Sequence, residues 1–280
     1  TNSLKGGKMY IDCHCHLDLI NIFDTSINDI LQNSRKFKIN SIVQVSASIN
    51  EFKTFFPVFS KNFLYKNELP YLYFTFGVSP NDLSYEAFDF SELLDLFLHF
   101  DLIKHMNNGK LVAIGEIGLD YFHKFFTSQE QKNAFEVQLQ LAKKYNLPVM
   151  LHIRDAFDDA IKILKNADIS SPIIFHCYTG DPEITTTILE NFENCAFSFA
   201  GNITYKKMEN IQKSLLIIPI EKILLETDSP YLSPGKLRGK ENVPYNVIQT
   251  YDFVANLLGV SLESLCNQIR INAKNFMNIF

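Results

Sequence analysis

His14 and His16 stand two residues apart, and Glu116, His152, His176 and Asp228 follow, each where an apolar run ends. Four imidazoles and two carboxylates make the inventory of a two-metal hydrolytic centre. Glu116 has two oxygens and can bridge two cations, whereas a neutral imidazole cannot. Asp228 can hold a metal and a water together. Imidazole with carboxylate suits zinc, manganese, iron or nickel, and carboxylate with water tolerates magnesium. Each residue also has a plainer reading. The two histidines can be buried and hydrogen-bonded, Glu116 can sit in a buried salt bridge, and Asp228 can pair with a neighbour. An acidic residue after an apolar strand is costly unless paired or metal-bound. Six ligand types at the ends of apolar runs favour the metal reading over six separate explanations.

The elements that must carry these residues are readable in outline. Eight apolar runs of strand length lie at 9–15, 41–46, 71–77, 111–116, 148–152, 172–177, 195–200 and 222–226. Most are continuous rather than alternating, as expected of strands buried on both faces. Amphipathic stretches separate them. The clearest runs over 128–145, with Ser128 and Gln131 at capping-box spacing. Another runs over 156–167, and 261–280 reads as a closing helix. Strand alternating with helix predicts an α/β fold, a single (β/α)8 TIM-type barrel with a C-terminal closing helix. A doubly wound open sheet is the alternative, and the absence of GxGxxG after the first strand counts against it. Barrel active sites lie at the C-terminal ends of the strands. All six candidate ligands fall there.

On a strand, His14 and His16 share a face with Asp12, which faces the barrel interior only if the strand bends. Cys13 and Cys15 are then expected to point toward the helices. Gly115 and Gly118 flank Glu116 and leave room for close approach. Glu226 matches Asp228 in parity and is expected to support a ligand. His99 and His105 read as surface or packing residues of a helical region at 91–108, and His123 as a solvated loop residue.

Composition bounds the rest. The chain has 280 residues, 46% hydrophobic, with no Trp and 25 Phe, so Phe must be the main large core filler. Net charge is −5, which excludes a strongly basic nucleic-acid footprint. Five scattered cysteines without a CxxC pair suggest a reducing compartment, so a cytoplasmic location is expected. No apolar stretch approaches the roughly 18 residues of a bilayer span, so no membrane is expected. Residues 1–8 read as a polar tail and 9–280 as one domain. A monomer is the expected state.

Arginine is scarce: Arg35, Arg154, Arg238 and Arg270. Arg154 and Arg238 border the proposed site, and guanidinium binds phosphate bidentately. The plainer reading of Arg154 pairs it with Asp155 or Asp158. Lys206, Lys207, Lys236 and Lys240 add charge on loops near the mouth, either toward substrate or toward solvent.

The chain resembles the TatD family of metal-dependent deoxyribonucleases. The carriers are Ile-Asp-Cys-His-Cys-His-Leu (11–17), Ile-Gly-Glu-Ile-Gly-Leu-Asp-Tyr (114–121), Leu-His-Ile-Arg (151–154) and Phe-His-Cys-Tyr-Thr-Gly (175–180). Ser-Phe-Ala-Gly-Asn-Ile-Thr (198–204), Glu-Thr-Asp-Ser-Pro-Tyr-Leu (226–232) and Arg-Gly-Lys-Glu-Asn (238–242) complete the series. The resemblance implies hydrolysis of DNA, often from the 3′ end, with two divalent ions such as Mg²⁺, Mn²⁺ or Zn²⁺. It implies that His14, His16 and Asp228 hold one ion and His152 and His176 the other, with Glu116 between. It also implies Arg154, Arg238, Asn242 and the position of Ser79 as substrate contacts. The chain departs from the family pattern twice. Ser79 stands where Gly-Val-His-Pro would place histidine, and Val243 stands where Glu would lie between Asn242 and Pro244. The expected chemistry is attack by hydroxide from a water whose pKa the metals lower from 15.7 to about 7, with Asp228 as base. The alternative substrate class is a small amide, ester or lactone. A binding protein that has lost catalysis is the third reading, and the intact ligand set argues against it.

Overall fold

The computed structural model describes residues 8–20 and 26–279. The expected tail therefore lies outside the described residues except for Lys8, as does the side chain of Lys236.

Eight parallel strands follow one another around the sheet in chain order. They are β1 Tyr10–Cys15, β2 Ile39–Gln44, β3 Tyr71–Phe76, β4 Leu111–Asp120, β5 Val149–Arg154, β6 Ile173–Phe175, β7 Cys195–Phe199 and β8 Ile223–Leu225. The helices between them are α1 Ile27–Lys36, α2 Ile49–Asn62, α3 Phe90–His99, α4 Leu102–Asn107, α5 Ser128–Tyr145, α6 Phe157–Ala167, α7 Pro182–Asn191 and α8 Glu209–Ile217. Two further helices, α9 Val247–Leu258 and α10 Leu262–Met277, end the chain. The architecture is the TIM-type (β/α)8 barrel that the alternation predicts.

Two apolar layers hold it together. The outer layer packs strand residues such as Phe74, Phe76, Phe175 and Phe197 against the helices. The inner layer draws on every strand, with Ile11, Val43, Tyr73, Val112, Met150, Ile174, Ala196 and Leu224 filling the barrel. Phe276 and Met277 of α10 join that inner layer, so the last helix closes the barrel. Asn272 of α10 also donates to the backbone carbonyls of Ile220 and Ile223 (2.8 and 2.7 Å), fixing the start of β8. The Tyr251 hydroxyl of α9 bonds both N and O of Ile11 and fixes β1 in the same way.

The β1–β8 seam positions part of the site. Asp228 N donates to His14 O (2.9 Å) and His16 N to Ser229 O (2.7 Å). The backbone that closes the barrel is thus the backbone that carries three candidate ligands.

Helix α5 positions another part. Its N-cap is Thr127, paired reciprocally with Glu130, one residue before the expected Ser128 and Gln131. Gln131 is left free to hold the loop after β4. It accepts from Asp120 N (2.7 Å) and donates to the carbonyls of Asp120 and Phe126. Gln138 clamps Val78 in the same manner, N to Oε1 at 2.7 Å and Nε2 to O at 3.0 Å. One helix thereby pins the loops after β3 and β4. The helical region expected at 91–108 is two helices, broken at Asp101, which adopts a left-handed φ of 53°.

Candidate metal centre

The six residues meet at the C-terminal mouth of the barrel. His14 and His16 approach each other at 3.2 Å, Nε2 to Nε2. Glu116 Oε2 lies 3.4 Å from His14 Nε2, 3.6 Å from His16 Nε2 and 3.8 Å from His176 Nε2. Its other oxygen, Oε1, lies 3.1 Å from His152 Nδ1. His152 Nδ1 and His176 Nε2 are 3.2 Å apart. Asp228 Oδ1 completes the first group, 3.5 Å from His14 Nε2 and 3.6 Å from His16 Nε2. Two sets of donors converge within 4.8 Å, His14–His16–Asp228 and His14–Glu116–His176, all buried.

Local strand geometry explains how they arrive. β1 does not run regularly: its pairing with β2 shifts between Asp12 and Cys15. The bend leaves Cys13 in the interior layer and Cys15 in the outer one, so the expectation that both cysteines face the helices holds only for Cys15. Asp12 does not share the histidines' surroundings either. It accepts from Thr227 N (2.8 Å) and Thr227 Oγ1 (2.6 Å) inside the seam. Glu116 does not end β4, which continues to Asp120. The β4–β5 pairing shifts between Ile114 and Ile117, and a bulge of this kind re-aims a side chain. Gly118 has φ of 142°, and a Cβ there would meet His152 O at 2.2 Å, so the close β4–β5 approach requires glycine.

Three imidazoles are oriented from behind. His176 Nδ1 faces Glu226 Oε1 (3.3 Å), His152 Nε2 faces Asp120 Oδ2 (3.0 Å), and His14 Nδ1 faces Met150 Sδ (3.1 Å). Donating one ring N–H backward leaves the other nitrogen's lone pair for the centre. Parity with Asp228 anticipates Glu226. It does not anticipate Asp120, whose two oxygens accept five bonds: from Phe122 N, His123 N, Asn81 Nδ2, His123 Nδ1 and His152 Nε2. An acidic residue beside an aromatic loop gives no spacing signal for that role.

The metal-free electrostatics are those of a proton-filled ligand set. Burial lowers His16, but the hydrogen bond to Asp228 and the charge of Glu116 override it and bring the ring up to about 9. Burial also lowers His152, and Asp120 and Glu116 reverse it, to about 10. His176 is raised against its burial by Glu116 and Glu226. His14 is lowered by burial and by neighbouring His176, on which its ring stacks at 3.9 Å. Burial raises Glu116, yet His176, His14 and His152 hold it well below the usual carboxylate range.

This arrangement fits divalent cations on its own chemistry. Imidazole nitrogens facing each other at 3.2 Å need a proton or a cation between them. His16 Nδ1 is buried with no partner. Borderline nitrogen donors and carboxylates in one pocket are the ligands of zinc and manganese, and they tolerate magnesium.

The expected substrate contacts are placed differently from one another. Arg154 is exposed, with its guanidinium over the Phe122 ring at 4.0 Å, and among the described residues no carboxylate pairs with it. Arg238 is exposed and lies over Tyr205 at 4.5 Å. Lys206, Lys207 and Lys240 are exposed. Asn242 is fully buried. It donates to the carbonyls of Thr227 and Tyr231 and accepts from Val243 N and Asn246 Nδ2, so both ends of its amide anchor the loop after β8. The expected role as a substrate contact gives way to an anchoring one. Ser79 is buried, and its hydroxyl accepts from Asn81 N (3.2 Å) within the loop after β3. Val243 packs into the outer apolar layer. His123 is exposed but held, its ring bonded to Asp120 at 2.6 Å.

A barrel with imidazoles and carboxylates gathered at its mouth is the architecture of a metal-dependent hydrolase, and comparison with known proteins gives the family. Residues 11–278 match the TatD related DNase family, and the chain belongs to it. An uncharacterized metal-dependent hydrolase of Buchnera aphidicola is 34% identical over 275 residues, covering 96% of this chain and 95% of that one. The metal-dependent hydrolase YabD of Bacillus subtilis is 32% identical, covering 97% and 100%. In fold, the TatD homologue YJJV of Escherichia coli K12 superposes with a TM-score of 0.81 at 24% identity, over 97% of this chain and 98% of that one. The protein is therefore a metal-dependent hydrolase using divalent metal. Among the described residues no helix is long and apolar enough to cross a membrane.

Proposed function

We propose that the protein hydrolyses phosphodiester bonds of DNA, acting from the 3′ end, with two divalent ions held by His14, His16, Glu116, His152, His176 and Asp228. The observation that carries this reading is Glu116, whose Oε1 faces His152 while its Oε2 faces His14, His16 and His176, so one carboxylate touches all four imidazoles. Family membership supports DNA as the substrate. Bound divalent ions supply Lewis acidity, lowering the pKa of water and polarising a phosphoryl oxygen. Asp228 is held below its ordinary pKa against its burial, by the His16 bond and the neighbouring His14 and His176, so it is ionised and able to take the water's proton. Arg154 and Arg238 use only their guanidinium faces on Phe122 and Tyr205, which leaves their N–H edges for phosphate oxygens. Glu226 and Asp120 keep His176 and His152 in one tautomer throughout.

The test is turnover of end-labelled DNA by protein stripped with EDTA and reloaded with Mg²⁺, Mn²⁺ or Zn²⁺. The expected result is release of mononucleotides from a 3′-labelled strand, lost with EDTA and blocked by a capped 3′ end. Turnover of lactone or amide substrates with no DNA cleavage under any of these metals would refute the proposal.

A further inference from the structure

The loop that leaves β4 carries an unusual sequence, Tyr121-Phe122-His123-Lys124-Phe125-Phe126, and the hydrolysis proposed above gives its rings no part. Phe122 and Phe125 are 54% and 67% exposed, a large apolar cost in water unless something covers them. The rings are ordered into a series. The Arg154 guanidinium lies over Phe122 at 4.0 Å, Phe122 and His123 meet edge to face at 5.0 Å, and His123 stacks on Phe125 with planes 7° apart.

The loop is a rigid mount. Asp120 accepts the N–H groups of Phe122 and His123, and Gln131 holds the carbonyls of Asp120 and Phe126. Tyr121 is tied down through its hydroxyl to Asp159 at 2.7 Å. The mount also touches the metal centre directly, because Asp120 Oδ2 bonds the His123 ring and the His152 ring at once. Beside the same loop, against Tyr121, Lys124, Phe125 and Phe126, lies an open cleft of about 690 Å³.

Charge selects the occupant. This part of the mouth carries Arg154 and Lys124, no carboxylate pairs with Arg154 among the described residues, and the one exposed carboxylate on the cleft wall, Glu130, is tied to Thr127. The arc formed by the loops after β1, β2 and β3 is acidic instead. There burial, then the charges of Asp18 and Asp82, push the Glu51 carboxyl up. A polyanion is repelled from that arc and admitted over the aromatic loop. Exposed rings interleaved with cations are what single-stranded nucleic acid binds, through its bases and its phosphates together.

We infer that Phe122, His123 and Phe125, with the Arg154 plane, form a stacking platform for the unpaired bases of single-stranded DNA next to the bond that is cut. This rests on the function proposed above and extends it from the phosphate to the base. Stacking is tolerant of base identity, so the platform confers a requirement for a base without a preference among bases.

The test compares a ten-residue oligothymidylate with an abasic ten-mer of equal charge, using the full chain loaded with Mg²⁺. Binding is read by fluorescence anisotropy on labelled, phosphorothioate-linked strands, and turnover on ordinary ones. The wild-type protein is expected to bind the base-bearing strand more tightly than the abasic one. Phe125→Ala is expected to weaken oligothymidylate binding and raise its KM, roughly 5- to 150-fold at 1–3 kcal/mol per stacked base, with kcat kept. Binding of the abasic strand stays unchanged, and Phe125→Tyr restores the base-dependent gain. Equal wild-type affinity for both strands would overturn the platform, as would an Ala variant that weakens both strands alike. Absence of cleavage with base-dependent binding intact would instead remove the proposed hydrolysis and leave the platform standing.

Discussion

Replacing Asp120 with Asn tests how the structure prepares a ligand without touching the metal. Asp120 Oδ1 accepts Phe122 N (2.9 Å) and His123 N (3.0 Å), while Oδ2 accepts three side-chain donors, from Asn81, His123 and His152. An Asn can keep the turn with its carbonyl, but its NH2 then faces three donors. His152 loses the acceptor that fixes its ring. Loss of such a partner typically costs 10- to 100-fold in metal affinity or activity, about 1.4–2.7 kcal/mol. A second effect has the opposite sign. The Asp120 hydrogen bond, with Glu116, also raises His152 against its burial to about 10, so the ring of the metal-free protein is protonated at neutral pH and must lose that proton to bind metal. Removing the carboxylate lowers that pKa and weakens proton competition. The two effects separate with pH. Near pH 6 the relief is largest, and toward pH 9 it shrinks but persists, because a ring titrating at about 10 is still mostly protonated there. The assay is Zn²⁺ or Mn²⁺ affinity by chelator competition from pH 6 to 9, with circular dichroism as a control for folding. The wild-type to Asp120→Asn ratio is expected to grow with pH toward 10- to 100-fold. A ratio that is flat or that falls as pH rises would refute the reasoning.

Other outcomes follow from the same geometry. His14→Ala or His16→Ala should abolish metal-dependent turnover and leave the far-ultraviolet spectrum unchanged; retained turnover with full metal content would remove these residues from the centre. In the metal-free protein the raised folded pKa values of His16 and His152 contribute stability that is complete below about 6.5 and lost as pH rises through about 9 to 10, so its melting temperature should fall across that window. With saturating metal the trend should reverse, since metal replaces the protons, and a pH-independent melting temperature in EDTA would contradict the assignment. Ser79→His should raise DNA cleavage about tenfold at unchanged metal content, a modest part of the 10²- to 10⁴-fold range of acid–base assistance. An unchanged rate would point to His123, the imidazole joined through Asp120 to His152.

The barrel is legible in the sequence because continuous apolar runs alternate with amphipathic ones, and burial on both faces leaves that mark. The six residues of the centre are legible because each follows such a run. Boundaries are less so. Gly115 and Gly118 read as room for close approach, and backbone does approach backbone there, but the apolar run reads as ending at Glu116 while β4 continues to Asp120. Asn242 misleads as well. Its substrate role is what the resemblance to the family motif implies, and nothing in the sequence shows that the Thr227 and Tyr231 carbonyls arrive to occupy its amide.

What stays hidden has one physical origin. Spacing along one element reveals which side chains share a face, but the groups that tune the centre come from other elements. Met150 reaches His14 from β5 and Asp120 reaches His152 from the end of β4, and even Glu226, which parity flags as a support, has its partner His176 on another strand's end. The Met150 and Glu226 contacts join strands that are not neighbours in the sheet, so they depend on the barrel closing, and closure itself runs through the Asp228 N to His14 O bond in the seam. The bend of β1 shows the consequence. A regular strand would put Asp12 beside the histidines as another carboxylate at the centre. The shift between Asp12 and Cys15 instead turns Asp12 to Thr227, where it braces the seam from behind. The same carboxylate in regular register would add negative charge next to Glu116 and Asp228, so the irregularity keeps the ligand set as it stands. It follows that Asp12→Asn should act on the spacing of His14 and Asp228 rather than on the charge of the centre. It should weaken metal binding together with melting temperature. Loss of metal affinity in Asp12→Asn at an unchanged melting temperature would place Asp12 among the ligands after all.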